Sequence, residues 1–246
     1  MRKPEPTDPS TLGRHVVRFL AWCVLVAVVL FLGGTAAAIY FLERSPAPTS
    51  AFMIQSRTAD PATGLPCSAI EYDWVDREHI SPHLRLAVVL AEDQRFMLHH
   101  GIDFEGITRA LKERDRRGRV RGASTLSQQL AKNLFLWPEP SWWRKGLEVW
   151  FTLWMEQRWS KQRILETYLN VAQFGPCVFG AEAASRRYFG RSADSLEPEQ
   201  AALLATVLPS PKKLRAHNPG PFARQRTAEI TQLMQELGRA RHLRGL

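Results

Sequence analysis

"GASTLSQQLAKNLFL", residues 122–136, has the pattern of an amphipathic helix with a defined beginning. Leucines recur at every fourth residue from Leu126 to Leu134, which places them on one stripe of a helix. Thr125 and Gln128 have the spacing of a capping box, in which each side chain bonds the other residue's backbone N–H. We therefore predict a helix that begins directly after Thr125 and buries its leucine face.

A second face of the same helix carries polar groups. Thr125, Gln129 and Lys132 recur at i, i+4 and i+7, so a hydroxyl, an amide and an ammonium should align. Such a row is either a binding face for a hydroxylated, anionic ligand or an ordinary solvated face. The spacing does not decide between them.

The rest of the chain after the N-terminal region also favours helices. Ser81 followed by Pro82 is a helix start, and that helix should run through "HLRLAVVLAED" to residue 93. Runs with strand alternation are scarce, and there is no internal repeat. We predict one mainly α-helical domain, with further helices at 142–158, 161–172, 180–188, 198–207 and 221–239.

Composition narrows the class of protein. At 246 residues the chain can hold one sizeable domain, or two small ones, plus an anchor. A formal charge of +9 together with eight tryptophans suggests contact with something anionic and amphipathic, either a nucleic acid or a membrane surface. The three cysteines form no CxxC pair, so neither a zinc module nor a disulfide framework is indicated, while a single bridge between Cys67 and Cys177 stays open.

An N-terminal apolar segment favours the membrane. Residues 19–42 are twenty-four residues without a charge, against the roughly 20 that cross a bilayer as a helix. The run is too long for a signal peptide, so we predict an uncleaved anchor. Basic residues precede it, which places the N-terminus in the cytoplasm and the remainder on the periplasmic side of a bacterial inner membrane. The predicted organisation is a cytoplasmic N-terminus at 1–18, a transmembrane helix at 19–42, a proline-rich linker with little regular structure at 43–66 and one domain at 67–246.

The charged cluster "VVLAEDQRFMLHHGID", residues 88–103, allows a metal site, an acid–base carboxylate or merely a polar helix end. The metal interpretation is weak, because adjacent His99 and His100 point in different directions and the chain has no H-E-x-x-H spacing. Glu92 lies near the predicted helix C-terminus beside Asp93. The helix dipole and the neighbouring carboxylate should both raise its pKa toward a value that suits a general base.

Two further charged segments remain ambiguous. Arg144 and Glu148 lie four residues apart and should pair, within a region where five tryptophans between 142 and 159 suit either a core or a lipid headgroup interface. The run "RALKERDRRGRVR", residues 109–121, has seven Lys or Arg against two acids. Behind an anchor it has no accessible nucleic acid, so contact with anionic lipid phosphates or a simply solvated loop fits better.

Four ordered segments together resemble a known family. "EDQRFMLHHG", "RGASTLSQQLAKNLFL", "RKGLE" and "SKQRILETYLN" match the E-D-x-x-F-x-x-H-x-G, G-A-S-T-[IL]-[ST]-Q-Q-x-x-K-N, R-K-x-x-E and [SK]-K-x-x-I-L-x-x-Y-L-N elements of the peptidoglycan glycosyltransferases. This family includes the polymerase module of bifunctional penicillin-binding proteins and stand-alone enzymes. The resemblance implies a lysozyme-like helical fold and polymerisation of lipid II into β-1,4 glycan strands with release of undecaprenyl pyrophosphate.

The resemblance also implies roles for individual residues. Glu92 would be the general base of an inverting single displacement, and Glu148 the second catalytic carboxylate. Lys132 and Arg144 would contact the pyrophosphate. For His99 a structural hydrogen bond at the turn is favoured over substrate contact. The full predicted substrate-binding set is Asp93, Phe96, His99, Ser124, Thr125, Gln129, Lys132, Asn133, Arg144 and Lys145.

The same resemblance predicts which cofactors and partners to expect. We expect no protein-held metal and no required cofactor, with Mg²⁺ or another divalent cation plausible only as a partner of the pyrophosphate. Expected partners are lipid II, the growing glycan strand, the inner membrane and candidate cell-division or cell-wall synthesis proteins, but no nucleic acid.

The sequence departs from the family pattern at two positions. Where stand-alone members read A-E-[FW]-G-x-G, this chain has Gln173 for the glutamate and Cys177 for a glycine. Ser210 and Lys213 satisfy S-x-x-K, but the chain has no K-T-G, so we expect no transpeptidase activity. A glycan-cleaving hydrolase or lytic transglycosylase and an inactive membrane-anchored scaffold remain the alternatives to a polymerase.

Overall fold

Two compact units make up the chain, residues 1–42 and 43–246. The computed structural model describes residues 9–117, 124–211, 213–237, 243 and 245–246. Helix α1, Pro9–Arg44, contains the predicted transmembrane segment. Within the described residues, one helical stretch, Arg14–Arg44, is long and apolar enough to cross a membrane, with a hydropathy of 2.6.

The second unit is predominantly helical, as predicted. Its strands are short: β1, Glu71–Tyr72, runs parallel to β3, Val178–Phe179, which pairs on its other edge with antiparallel β2, Gln173–Gly175. Its helices are α2 Ala51–Ser56, α3 Pro82–Glu92, α4 Phe104–Arg117, α5 Leu126–Phe135, α6 Trp142–Arg158, α7 Lys161–Val171, α8 Ala181–Phe189, α9 Pro198–Val207 and α10 Pro221–Leu237.

The predicted helix starts are confirmed by their caps. The Ser81 hydroxyl accepts from the His83 N–H at the start of α3. The capping box of α5 is complete, since the Thr125 hydroxyl accepts from the Gln128 N–H and the Gln128 side chain accepts from the Thr125 N–H. Each bond satisfies a backbone donor that a helix N-terminus leaves without an intrahelical partner.

The helices pack in two groups, and their junction positions the site. Helix α3 packs against α9 and α10, whereas α5 packs against α6 and α7. The stripe of α5 is buried as predicted, with Leu126 and Leu130 fully buried and Leu134 nearly so. The C-terminal end of α3 meets the polar face of α5 through a hydrogen bond between Glu92 and Gln129.

Part of the predicted irregular linker is ordered as a helix, so that prediction was wrong. Residues 51–56 form α2, which Ser50 caps by accepting from the Met53 N–H. Met53 is buried, and α2 packs against α5. The helix is too short to show a clear hydrophobic period, so the surrounding prolines led to the prediction of an irregular linker.

The basic run was expected to be a loop or a lipid-binding segment, and its first part is helical. Helix α4 extends to Arg117, while residues 118–121 of the run lie outside the described residues. The density of charge leaves too few apolar positions for a visible helical pattern. Helix α10 was predicted to extend to 239, and its last two predicted residues also lie outside the described part.

A disulfide joins Cys67 to Cys177, which answers the question that the sequence left open. It links the segment before β1 to the turn between β2 and β3. The bridge spans 110 residues of sequence. It therefore fixes residues near the N-terminal edge of the domain to the hairpin.

Candidate active site

Glu92 is the last residue of α3 and lines an open cavity of about 330 Å³. The helix ends there because Asp93 leaves the helical conformation, although its N–H still bonds the Val89 carbonyl at 2.9 Å. Arg95 and Arg226 line the same cavity. A carboxylate thus lies beside cations in a space that is open to a ligand.

The Glu92 carboxylate is held from α5. The Gln129 amide donates to Glu92 Oε2 at 2.8 Å, and the Tyr168 hydroxyl donates to Gln129 Oε1 at 3.0 Å. Burial raises the pKa of Glu92, with Asp93 adding to the rise, while the Gln129 hydrogen bond and the charges of Arg226 and Lys132 oppose it. The predicted direction is the same, but burial, which the sequence argument did not invoke, is the largest cause.

Hydrogen bonds from the rest of the "EDQRFMLHHG" segment hold the turn after α3 against the start of α5. The Gly101 N–H donates to His99 Nδ1, so the ring's other nitrogen, Nε2, carries the proton and donates to Asp93 at 3.0 Å. Asp93 Oδ2 also accepts from the Leu126 N–H, and the Thr125 hydroxyl donates to the Gly101 carbonyl. His99 thus makes the hydrogen bonds that its structural interpretation predicts. Asp93 and Thr125 form these internal hydrogen bonds and also line the Glu92 cavity.

Phe96 packs beneath this turn in the core. It is fully buried, and its ring lies edge-on to His99 with 6.3 Å between ring centroids. The Lys161 ammonium lies 4.5 Å from the centroid of the Phe96 ring. Because Phe96 exposes no surface, it shapes the site indirectly and does not present a face to substrate.

A second cavity, of about 270 Å³, is lined in part by Gln129, the residue that bonds Glu92. Lys132, Asn133 and Gln173 line it together with Phe52. Burial lowers the pKa of Lys132; nearby carboxylates raise it, and Arg144 and Lys145 lower it further. Among the described residues that line this cavity, Lys132 is the one that carries a charge.

Glu148 organises the predicted cation cluster. It is only 3% exposed, and its Oε2 accepts from Arg144 at 3.1 Å, which confirms the predicted pair. Its other oxygen accepts from the Lys145 ammonium, which also donates to the Ser124 hydroxyl at 3.4 Å. Both carboxylate oxygens are thus neutralised by cations, and this donor set does not fit a divalent metal ion.

The two clusters meet at Lys132, whose pKa responds to both Glu92 and Glu148. The sequence did not indicate two residues of this site. Arg226 reaches the Glu92 cavity from α10, and nothing in its local sequence marks it. Tyr168 was present in the matched "YLN" element, but its contact with Gln129 depends on the packing of α7 against α5.

One further cluster resembles a metal site in its residue types. Among the described residues, Asp60, Cys67 and Cys177 are the group of three potential ligands whose atoms lie close enough together. Both sulfurs are committed to the disulfide, so the cluster is not a metal site in this structure.

Comparison with known proteins identifies the family of this chain. The sequence model of the transglycosylase family matches residues 62–235. The chain belongs to the transglycosylase family. Among similar members, the biosynthetic peptidoglycan transglycosylase of Pseudomonas aeruginosa PAO1 is 46% identical over 228 residues, covering 93% of this chain and 94% of the relative.

Two more family members extend the comparison. The proteins of the same printed name from Xanthomonas campestris pv. campestris B100 and from Aeromonas hydrophila subsp. hydrophila are each 44% identical to this chain, over 225 and 227 residues. The matches cover 92% of this chain in both cases, and 91% and 94% of the relatives. Family and relatives agree on a glycosyltransferase enzyme of peptidoglycan synthesis, which confirms the resemblance inferred from the motifs.

Proposed function

We propose that this transglycosylase polymerises lipid II into β-1,4 glycan strands, with Glu92 as the general base and undecaprenyl pyrophosphate as the leaving group. The observation that carries the proposal is a half-buried carboxylate of raised pKa close to a half-buried lysine. Glu92 supplies the first group and Lys132 the second: Gln129 bonds Glu92 and lines one cavity with Lys132, and the charges of Glu92 and Lys132 influence each other's pKa.

The reaction is a single displacement at the anomeric carbon. Glu92 takes the proton of the 4-hydroxyl of the acceptor sugar as that oxygen attacks the donor sugar. The new C–O bond forms while the bond to the lipid pyrophosphate breaks, and the electron pair of that bond leaves with the phosphate oxygen. Attack opposite an α-linked leaving group gives the β linkage without a sugar–enzyme intermediate.

Cations stabilise the charge on the departing pyrophosphate. Lys132 is half-buried, so its attraction for an anion is screened less than that of an exposed lysine. Arg144 and Lys145 are held together by Glu148, which offsets the repulsion between two neighbouring cations. A divalent cation would enter with the pyrophosphate, and no step of the proposed displacement depends on it.

The chain would work as a single-pass protein of the bacterial inner membrane. Helix α1 suits an anchor, and the basic residues before residue 19 favour a cytoplasmic N-terminus and a periplasmic catalytic domain. Cell-division or cell-wall synthesis proteins are the candidate partners.

The cation cluster favours polymerisation over the alternative of glycan cleavage. A hydrolase or lytic transglycosylase acts on neutral sugar linkages and does not need Lys132, Arg144 and Lys145 beside its carboxylate. Purified protein given labelled lipid II should form long strands that moenomycin inhibits, as the family resemblance implies. Shortening of preformed strands would instead support the lytic alternative, and no reaction on either substrate would support an inactive scaffold.

The proposal includes no transpeptidase activity. Ser210 lies on the wall of the Lys132 cavity, and the Lys213 N–H bonds the Ser210 carbonyl in a turn. The sequence offers no K-T-G element to complete a penicillin-binding site. Stoichiometric acylation by a labelled β-lactam would contradict this part of the proposal.

A further inference from the structure

A hydrogen-bond relay runs from α7 through α5 to the end of α3. The Tyr168 hydroxyl donates to Gln129 Oε1, and the Gln129 amide donates to Glu92 Oε2. Tyr168 is fully buried, and its ring belongs to the core on which α5 packs. The relay therefore ties the proposed base to a fixed part of the fold.

The relay has a defined direction. Burial raises the pKa of Tyr168 well above its ordinary value, and the charge of Glu92 adds to the rise. The phenol thus stays protonated throughout the working pH range and acts as the donor. Because the phenol occupies Gln129 Oε1, the NH₂ end of the amide must face Glu92.

We propose that Tyr168 is a positioning residue for the base: through Gln129 it directs an N–H donor to one oxygen of Glu92 and leaves the other oxygen for the acceptor hydroxyl. This inference rests on the proposed role of Glu92 in lipid II polymerisation. It makes Gln129 part of the support of the base rather than a direct substrate contact. It also assigns a role to the tyrosine of the "YLN" element.

Replacement of Tyr168 by phenylalanine should loosen the amide while keeping the buried ring. The amide can then turn its carbonyl oxygen toward Glu92, which disfavours the ionised carboxylate and raises its pKa. The other groups that face Glu92 are Lys132 on α5, Arg226 on α10 and Asp93 after α3, and none of them is altered. A shift in the titration of Glu92 would therefore report on the relay.

The first test is the pH dependence of polymerisation by the full chain. In Tyr168→Phe the acidic limb of the kcat–pH profile should move to higher pH by about one unit. At pH values on the acidic side of that limb, this shift is about a tenfold loss of rate. The rate should recover at higher pH, and KM should change little. An unshifted limb, or an equal loss at every pH, would overturn the proposal.

A double-mutant cycle tests whether Tyr168 acts through Gln129. Gln129→Met removes both hydrogen bonds and should shift the limb at least as far as Tyr168→Phe. Adding Tyr168→Phe to Gln129→Met should then cause no further shift. Additive shifts would show that Tyr168 affects Glu92 by another route and would contradict the relay.

Thr167 offers a matched control on the same helix. Its hydroxyl is buried, and in the described part of the chain it has no hydrogen-bond partner. Thr167→Val removes a buried hydroxyl of similar position without touching the relay, so it should leave the pH profile unchanged. A shift in this variant equal to that of Tyr168→Phe would indicate a general packing effect and would contradict the specific role.

A titration independent of catalysis separates this inference from the proposed function. In protein labelled with ¹³C at glutamate side chains, the carboxyl signal lost in Glu92→Gln identifies Glu92. The pH midpoint of the titration of this signal should be higher in Tyr168→Phe than in wild type and unchanged in Thr167→Val. If wild type fails to polymerise lipid II, the proposed function falls, while equal midpoints in wild type and Tyr168→Phe would sink the relay itself.

Discussion

At neutral pH the charge on Glu92 works against folding, because its pKa is raised above the ordinary glutamate value of 4.5. Between the unfolded and folded pKa values, the folded protein binds more protons than the unfolded chain. Stability therefore falls as pH rises through this window. The site keeps a base that is ready to take a proton, at a cost in folding free energy.

Glu92→Gln should consequently raise the free energy of unfolding at pH 7, since it removes the poorly solvated charge and keeps an oxygen that can accept from Gln129. The gain should disappear as pH falls toward about 4, where the wild-type carboxyl is protonated as well. Thermal unfolding at both pH values measures it. Glu199→Gln, at an exposed glutamate of α9, is the control and should show no such pH-dependent gain.

Local patterns predicted some residues of the site and missed the roles of others. The position of Glu92 at a helix end and the Arg144–Glu148 pair follow from helical spacing alone. The spacing of Thr125 also placed it on the face of Gln129 and Lys132. Its hydroxyl instead donates to the Gly101 carbonyl, a contact that exists only after the turn that follows α3 has packed against the start of α5.

Among the elements, α5 makes the largest contribution to the site, and it was also the most predictable. Its cap and its leucine stripe are encoded within fifteen residues of sequence. Helices α2 and α4 were not predicted, because one is short and the other is dominated by charge. Helix α1 runs from Pro9 to Arg44 and so begins ten residues before the predicted transmembrane segment at 19–42. The ends of the other predicted helices agree with the structure to within one or two residues, apart from the end of α10, which lies outside the described residues.

The hairpin of β2 and β3 contains both departures from the family pattern, and the structure joins them. Asp60 is fully buried and accepts from the Gln173 amide and from the Cys177 N–H. Cys177 has a φ of 58°, the left-handed region in which a glycine is ordinarily favoured. A glutamate at 173 would set a second carboxylate against buried Asp60, so the amide fits this chain where an acid would not.

We therefore predict that Gln173→Glu destabilises the protein at pH 7, and that Asp60→Asn in the same chain recovers part of the loss. The coupling between the two changes should be about 0.5–3 kcal/mol, the range seen for residues in one hydrogen-bond network. Chemical unfolding of the two single variants and the double variant measures it. Gln162→Glu, whose amide bonds a backbone carbonyl at the surface, is the matched control. Strictly additive effects of the changes at 60 and 173 would contradict this account of the departures.

At the scale of the whole molecule, the tryptophans divide between core and surface. Trp159 is buried, whereas Trp142 is 92% exposed and Trp143 is 86% exposed. The two exposed rings begin α6, directly before the cations Arg144 and Lys145. Aromatic rings next to basic residues are typical of a surface that meets lipid headgroups, so this pair fits the interface alternative.

Replacing both exposed rings, in Trp142→Ser/Trp143→Ser, should slow polymerisation of lipid II presented in vesicles. Burial of one large apolar side chain is worth about 1.5–3 kcal/mol, so the loss should be tenfold or more. Turnover of a short-chain, water-soluble lipid II analogue should be nearly unchanged. Phe222→Ser, at another aromatic ring that is 64% exposed, controls for a general surface effect. Equal losses on both substrates would mean that the rings serve the chemistry rather than the membrane.

The most direct test of the account is the strand yield from labelled lipid II for wild type and Glu92→Gln under identical conditions. Wild type should produce long β-1,4 strands and release undecaprenyl pyrophosphate. Glu92→Gln should remain folded but lose about 10²–10⁴-fold in rate, the usual contribution of a positioned general base. Polymerisation by Glu92→Gln at a rate close to that of wild type would contradict the assignment of Glu92 as the base.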